Sequence, residues 1–188
     1  MHLSPEFGYT VDSIEEEGFI VDERVDMLLS SDRPEGTSIS LGLGVVGFGQ
    51  SFARSQPDIL LVAGDRFDAY SAVIAALPFR IPVAHISGGD VTEGAIDDSI
   101  RHCITKLSHL HFVSTQPYAD RVIRMGEEPW RVSVSGAPGL DNLASIEILD
   151  RDMLETVIGF RLDEPFALAT YHPATINELS PSAQIAEV

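Results

Sequence analysis

The sequence predicts an α/β fold built on a doubly wound parallel sheet, and two observations lead to this prediction. First, four short apolar runs lack the alternation of a half-buried strand, and such runs are typical of parallel strands covered on both faces. They comprise residues 58–63, 81–86, 110–114 and 132–135. Second, segments of helical composition separate these runs, with short joints between them. Strand–helix–strand repeats of this kind form a sheet with helices packed on its faces.

Two helices are predicted before the first strand. Residues 11–31 are compatible with a helix because capping residues and three glutamates suit its start, but Gly18 weakens it and favours a helix over 21–31. Residues 37–54 form a second predicted helix despite four glycines, each costing about 1 kcal/mol relative to alanine. We therefore expect this second helix to pack closely against a neighbour.

Four more helices and a fifth strand follow. The helices are predicted over residues 67–77, 95–109, 117–125 and 150–157. The apolar run 166–170 predicts a further strand. In open α/β sheets, ligands bind outside the carboxyl ends of the strands. The polar clusters described next each lie just after a predicted strand, so we expect the functional site at this edge of the sheet.

The composition argues against several classes of function. The 188 residues carry 29 Asp and Glu against 12 Lys and Arg, a formal net charge of −17, so the surface repels nucleic-acid phosphates and anionic membranes. No apolar run approaches the roughly 18–20 residues that span a bilayer, and no secretory signal is visible. The single cysteine, Cys103, cannot form an internal disulfide, which fits a reducing compartment. We expect a cytoplasmic protein.

Acidic and basic side chains follow the first two predicted strands. Asp65 ends the first and can act as a base or bind a sugar hydroxyl, while Arg66 can grip a carboxylate or phosphate. Alternatively, Asp65 caps the helix that follows. Gly88-Gly89-Asp90 ends the second strand, where the glycines either bring Asp90 into a cleft or simply form a tight turn.

One predicted helix carries a polar stripe. Its members follow i, i+3, i+4 spacing and therefore share a face: Asp98, Arg101, His102, Thr105 and His109. The stripe is either a solvated surface with an Asp98–Arg101 ion pair worth well under 1 kcal/mol, or the lining of a cleft. The density of charge and imidazole near the start of the helix favours the cleft.

Two histidines lie within predicted strands. His111 alternates with apolar neighbours and is expected in the core, whereas His85 lies near the end of its strand and could serve either the core or the site. The histidines lack the spacing of a zinc hydrolase, so no metal site is predicted. No phosphate-binding Gly-Lys loop is present either.

Taken together, five motifs in fixed order resemble the hydrolysing UDP-N-acetylglucosamine 2-epimerases of sialic-acid-type sugar biosynthesis. They are His2-Leu3-Ser4-Pro5-Glu6-Phe7-Gly8, Gly64-Asp65-Arg66-Phe67-Asp68, Gly88-Gly89-Asp90-Val91-Thr92-Glu93-Gly94, Ile96-Asp97-Asp98-Ser99-Ile100-Arg101-His102 and His172-Pro173-x-Thr175. The resemblance covers nearly the whole chain, and the combination of motifs is highly specific.

The resemblance implies a particular domain organisation. In this family two Rossmann-like domains hold the substrate between them, which is the GT-B arrangement. Residues 1–160 are then expected to be a partial N-terminal Rossmann-like domain, and residues 161–188 the start of a C-terminal domain that is mostly missing. A strand and a Gly-rich turn are expected before Met1, and a homodimer is expected for the full-length protein.

The resemblance also implies roles for individual residues. Asp65, Asp90 and Asp98 match the family's active-site carboxylates, and His172 matches the histidine of its His-Pro motif, so these four are expected to be catalytic. The expected substrate-binding residues are Arg66, Asp97, Arg101 and His102. Relatives often carry Glu where Asp90 stands, so this carboxylate reaches one methylene less far. Asp97 is an alternative for the role given to Asp98.

The implied reaction converts UDP-N-acetylglucosamine and water to N-acetylmannosamine and UDP. A base removes the C2 proton, UDP leaves C1 to give a glycal, and water then adds with protonation on the opposite face of C2. This chemistry needs carboxyl groups with different pKa values and cations near the diphosphate. It requires no metal or redox cofactor.

Three alternatives remain open at this point. An epimerase of the same kind could act on a modified UDP-sugar, such as a diacetamido one. The chain could instead be an inactive fragment that only binds a sugar nucleotide. A glycosyltransferase could share the two-domain fold, although three carboxylates at strand ends fit elimination better than transfer.

Overall fold

Four parallel strands form the predicted sheet in a computed structural model that describes residues 2–31, 33–174 and 179–186. The strands are β1 (Leu60–Ala63), β2 (Val83–Ile86), β3 (Leu110–Val113) and β4 (Val132–Val134). Their spatial order is β1-β2-β3-β4, and His85 of β2 stands opposite His111 of β3. The predicted α/β fold class is therefore confirmed, and all four apolar runs contain a strand.

Helices precede the sheet, connect its strands and follow it. They are α1 (Val11–Glu16), α2 (Pro34–Ser55), α3 (Phe67–Ala76), α4 (Ile96–Leu107), α5 (Gln116–Arg124), α6 (Pro138–Ser145), α7 (Arg151–Ile158) and α8 (Pro181–Ile185). Helices α3, α4 and α5 are the crossovers between successive strands. Because each crossover returns the chain to the same end of the sheet, the loops after β1, β2 and β3 all lie at the carboxyl edge.

The predicted helix over 21–31 is wrong. The described part of this segment is not helical, and alternate side chains, Val25 and Met27, face α2. A Cβ atom added at Gly44 would lie 2.6 Å from Met27 Cε, and one at Gly47 would lie 2.5 Å from Val25 Cγ1. Two of the four glycines thus admit neighbouring side chains, which confirms the expected close packing and explains why tertiary contacts override local helix propensity.

The main core lies between the sheet and helices α2, α3 and α4. Helix α3 contributes most of its length to this core, because four of its apolar residues are almost fully buried: Ala72, Val73, Ala75 and Ala76. Phe52 from α2, Val83 from β2 and Ile104 from α4 close around them. This packing fixes the relative positions of β1, β2 and α4, which carry the polar residues described below.

The segment after β4 departs from prediction. Helix α6 is present although the sequence analysis did not predict it, and the predicted strand over 166–170 is wrong because these residues have no regular structure. Phe166 is 66% exposed and Leu168 is 89% exposed, so neither packs on the sheet as a strand residue would. No helix within the described ranges is long and apolar enough to cross a membrane.

Candidate active site

Arg101 joins the loops at the carboxyl edge of the sheet. Its Nη2 donates to Asp65 Oδ2, after β1, and to Thr92 Oγ1 at 2.7 Å, after β2. Its Nη1 donates to the backbone carbonyl of Asp90 at 2.9 Å and to Asp98 Oδ1 at 3.1 Å. The Arg101 side chain is only 5% exposed. A single buried guanidinium therefore brings the three predicted carboxylate positions to one place.

The first turn of α4 explains how Asp98 reaches this cluster. Asp98 and Arg101 are three residues apart and face the same way, as the polar stripe predicted. Asp98 Oδ1 also accepts a hydrogen bond from the backbone N–H of Thr92 at 2.9 Å, which ties the loop after β2 to the helix. Carboxylates are favoured in the first turn of a helix by its partial positive charge.

Asp65 does not cap the helix that follows it. The N-cap residue of α3 is Arg66, which makes no capping side-chain bond, and the Asp65 carboxylate turns to Arg101 instead. Its side chain keeps 25% of its surface exposed. Asp65 is thus oriented by an ion pair yet remains accessible from solvent, as a group that contacts a substrate must be.

The carboxyl group of Asp90 is partly buried. Burial raises the pKa of the Asp90 carboxyl, and the nearby Asp65 carboxylate adds to this rise. The charges of Arg101 and Arg121 and a hydrogen bond from Ser114 Oγ, at 3.4 Å, oppose the rise without cancelling it. A carboxyl group whose pKa is raised in this way is suited to hold and deliver a proton.

His85 supports the turn that carries Asp65. The ring is fully buried, with Nε2 2.8 Å from the carbonyl oxygen of Gly64 and Nδ1 3.2 Å from Thr105 Oγ1. Burial lowers the pKa of His85 to about 4, so the ring is neutral at pH 7. Since the Gly64 carbonyl can only accept, Nε2 carries the proton and Nδ1 accepts from the Thr105 hydroxyl.

The loop after β2 has an uncommon backbone. Ser87 adopts φ +68° and Gly89 adopts φ +81°. A Cβ atom at Gly89 would lie 2.5 Å from the carbonyl oxygen of Tyr118 in α5, so a side chain there would collide with backbone. Arg121 Nη1 in turn donates to the Gly89 carbonyl. The loop is therefore fixed against α5 as well as α4, which defines the direction of Asp90.

The other predicted substrate-binding residues lie around this cluster with different environments. Arg66 is half exposed, its Nε 3.6 Å from Asp68 Oδ1 and its guanidinium over the Phe67 ring. His102 Nε2 lies 3.7 Å from Asp98 Oδ2. Asp97 is partly exposed in the first turn of α4, beside Asp98. Arg66 and Asp97 therefore border the cluster without joining the hydrogen bonds of Arg101.

His172 lies in an exposed segment beside the loop after β2. A Cβ atom at Gly94 would be 3.0 Å from Ala174 Cβ, which places the His-Pro segment next to that loop. The buried side chain of Gln184 in α8 holds this segment, accepting from the Ala174 backbone N–H at 2.9 Å. Thr175, the last residue of the predicted motif, lies outside the described residues.

The sequence analysis did not predict three residues of this site, and it left the role of His85 undecided. Thr92, Ser114 and Arg121 contact Arg101, Asp90 and the Gly89 carbonyl respectively. A signal was available for Ser114, because it directly follows β3 at the same edge of the sheet. Within the ranges that the structure describes, no three His, Cys, Asp or Glu side chains are grouped to hold a metal ion.

A family model described as UDP-N-acetylglucosamine 2-epimerase matches residues 1–188. The chain belongs to this family. Members of known structure share the fold: the UDP-GlcNAc 2-epimerase from Neisseria meningitidis bound to UDP-GlcNAc superposes with a TM-score of 0.69 at 22% identity, covering 84% of this chain and 44% of that one.

Two curated relatives of this 2-epimerase family member carry more specific names. GDP/UDP-N,N'-diacetylbacillosamine 2-epimerase (hydrolyzing) from Campylobacter jejuni is 40% identical over 176 residues, 94% of this chain and 46% of the relative. UDP-N,N'-diacetylbacillosamine 2-epimerase (hydrolyzing) from Legionella pneumophila is 36% identical over 173 residues, 92% of this chain and 46% of the relative. The chain spans about half the length of these relatives.

Proposed function

We propose that these residues form the carboxylate half of the active site of a hydrolysing 2-epimerase that acts on a nucleotide-activated diacetamido sugar. The observation that carries the proposal is the convergence of Asp65, Asp90 and Asp98 on Arg101. The names of the Campylobacter and Legionella relatives favour a diacetamido sugar over UDP-N-acetylglucosamine itself. The latter remains the second substrate to be tested.

The carboxylates are proposed to have different roles because their environments differ. Asp65, which is paired with Arg101 and partly exposed, removes the C2 proton, and the electron pair expels the nucleoside diphosphate from C1 to leave a glycal. Water then adds across the double bond: its oxygen bonds to C1 and a proton is delivered to the opposite face of C2. The proton that the water loses and the proton that Asp65 took return to solvent. Asp90 is proposed as the proton donor because burial raises its pKa.

Arg101 is proposed to organise the carboxylates rather than to bind the substrate. Its Nη1 and Nη2 already donate to Asp65, the Asp90 carbonyl, Thr92 and Asp98, and its side chain is 5% exposed. The departing diphosphate therefore needs other cations. Arg66 is proposed as this cation because its side chain is 47% exposed next to Asp65. His172 is proposed as a hydrogen-bonding partner of the diphosphate because it is exposed in the segment beside the loop after β2.

The proposal also covers the domain organisation, the oligomeric state and the localisation of the whole protein. We propose that residues 1–160 belong to an N-terminal Rossmann-like domain, that residues 161–188 begin a second domain, and that the whole protein is a cytoplasmic homodimer. The coverage of 46% of each relative supports a further domain in the intact enzyme. Gel filtration with light scattering on the full-length gene product tests the dimer.

The deciding experiment uses solvent deuterium. The full-length gene product is incubated with UDP-N,N'-diacetylbacillosamine in deuterated water, and C2 of the released sugar is analysed by NMR. Deuterium at C2 with inverted configuration, together with free UDP, supports the proposal. UDP release without C2 exchange would indicate simple hydrolysis or transfer and would contradict it. A parallel reaction with UDP-N-acetylglucosamine ranks the two substrates by kcat/KM.

A second candidate function applies to the 188-residue chain by itself, since it spans about half of each relative. On its own it would bind a sugar nucleotide without turnover. Isothermal titration with UDP and a UDP-release assay on this chain separate the possibilities. Binding without release identifies a binding module, whereas release at the rate of the full-length protein would show that these residues suffice.

A further inference from the structure

His85 is a fully buried polar side chain that the proposed reaction does not use. It lies in β2, yet both of its ring nitrogens contact other elements that carry site residues. Nε2 is hydrogen-bonded to the carbonyl of Gly64, which directly precedes Asp65. Nδ1 is hydrogen-bonded to Thr105, which lies one turn of α4 after Arg101. A core histidine with no functional role has no need to connect these two elements in particular.

We propose that His85 is a positioning residue that fixes the Gly64–Asp65 turn to helix α4 and thereby sets the position of the Asp65 carboxylate. The proposal rests on the proposed function, because it assigns Asp65 the reacting position. His85 does not reach the substrate. It acts through one hydrogen bond on each side of its ring.

The turn needs such support because the backbone of Gly64 is conformationally unrestrained by its own residue type. Gly64 adopts φ +85°, and a Cβ atom there would meet nothing within 4 Å, so side-chain packing does not restrain it. Two hydrogen bonds to its backbone groups hold it: its N–H donates to Ile86 O at 3.2 Å, and its carbonyl accepts from the His85 side chain. Asp65 is then held from one side by this turn and from the other by Arg101.

The ring keeps a single protonation state while it does this. Its environment includes the Asp65 carboxylate, the Arg101 guanidinium and the equally buried His111 ring of β3. Burial is the largest influence and lowers the pKa of His85 to about 4, so the Nε2–H donor and the Nδ1 acceptor persist through the neutral range. The Gly88 backbone approaches the ring closely, since a Cβ added there would lie 3.2 Å from Nδ1.

The test compares three variants of the full-length gene product. His85→Phe keeps an aromatic ring but removes both hydrogen bonds, His85→Gln restores a donor toward Gly64, and His111→Phe makes the same exchange at an equally buried histidine one strand away. We expect His85→Phe to lower kcat about 10–100-fold with KM within about twofold, because small misplacement of a reacting group slows chemistry strongly. His85→Gln should recover most of kcat, and His111→Phe should retain it.

Two outcomes would overturn the positioning role. If His111→Phe loses as much kcat as His85→Phe at matched thermal stability, the effect is general to the core. If His85→Gln is as slow as His85→Phe, the hydrogen bond to Gly64 is not what matters. A Thr105→Val variant provides a further check, because loss of its hydroxyl removes the hydrogen bond that joins His85 Nδ1 to α4 and should give an intermediate kcat.

A readout independent of turnover separates this proposal from the proposed function. Amide hydrogen exchange at Gly64 should accelerate in His85→Phe but not in His111→Phe, because only the first releases the turn. If the wild-type protein shows no C2 deuterium exchange while Gly64 behaves as expected, the proposed function fails and the positioning contact stands. Equal Gly64 exchange in both variants would refute the positioning role whatever the activity.

Discussion

Arg101 Nη1 lies 3.1 Å from Asp98 Oδ1, one turn earlier on α4, and the same guanidinium donates to Asp65, 36 positions earlier in the chain. An i, i+3 ion pair on a solvated helix contributes little. Here the Arg101 side chain is 5% exposed, so the pair acts in a region of reduced dielectric constant and spans two loops. The pair therefore contributes to both stability and the arrangement of the site.

Replacing Arg101 should destabilise the fold. Arg101→Met leaves Asp65 and Asp98 without their shared cation, and breaking a buried ion pair typically costs about 3–5 kcal/mol. Arg101→Lys keeps the charge but cannot donate in the same fork, so an intermediate loss is expected. Urea unfolding monitored by circular dichroism measures both. Arg54→Met, which breaks an exposed pair with Glu23, is the control; an equal loss there would show that the cluster contributes nothing special.

Replacing Asp65 should remove catalysis while the fold survives. Asp65→Asn keeps the shape of the side chain but cannot take the C2 proton, and loss of a positioned base typically costs about 10²–10⁴-fold in rate. Release of UDP and C2 exchange by the full-length protein measure the loss, with Asp58→Asn as an exposed carboxylate control. Wild-type turnover in a folded Asp65→Asn protein would show that another group is the base.

Asp90→Asn should stabilise the protein at neutral pH while it impairs turnover. The pKa of Asp90 is raised in the folded state by burial, so the folded state binds its proton more tightly than the unfolded state does. The favourable contribution of Asp90 is therefore present at low pH and is lost as the pH rises through the raised pKa. Melting temperatures of wild type and variant should differ at pH 7 and converge toward pH 4. A variant that is less stable at pH 7 would contradict this.

Gly89→Ala should be far more damaging than alanine at another glycine with the same backbone. Both Gly89 and Gly136 have φ values near +80°, which costs an alanine about 1–2 kcal/mol. Only at Gly89 does the added Cβ meet the Tyr118 carbonyl, at 2.5 Å, while Gly136 has nothing within 4 Å. The difference in unfolding free energy between the two variants measures the collision. Equal losses would mean that the Gly89 loop can move aside.

The protein should lose stability as the pH falls from about 6.5 toward 4. Burial lowers the pKa values of His85, to about 4, and of His111, so in this range the unfolded state binds protons that the folded state does not. For His85 alone the shift corresponds to about 3 kcal/mol. Unfolding free energies at pH 7 and pH 5 measure the slope, and His85→Gln should make it shallower. An unchanged slope would show that His85 is not responsible.

The sequence pattern predicted the structure correctly where the interactions that determine it lie within one segment. Each apolar run contains a strand, but only β2 is buried along most of its length, as a strand covered on both faces should be. Leu61 of β1 is 60% exposed and Val134 of β4 is 49% exposed. The stripe on α4 was readable because helical spacing alone puts Asp98 and Arg101 on one face. The same reasoning failed at 21–31 and 166–170. In the first segment, contacts with the α2 glycines decide the conformation. The second segment pairs with none of the four strands of the described sheet, and its large apolar side chains are exposed.

The amino-acid order by itself thus determined the layered fold, the edge of the sheet where acidic groups collect, and the residue types available there. Only the tertiary structure decided which partner each group has. It showed that Asp65 turns to Arg101 instead of capping α3, and that His85 bridges the Gly64 turn and α4. The physical reason is distance along the chain: hydrogen bonds between residues 20 or 36 positions apart leave no periodic trace, and they exist only once the strands and helices have packed.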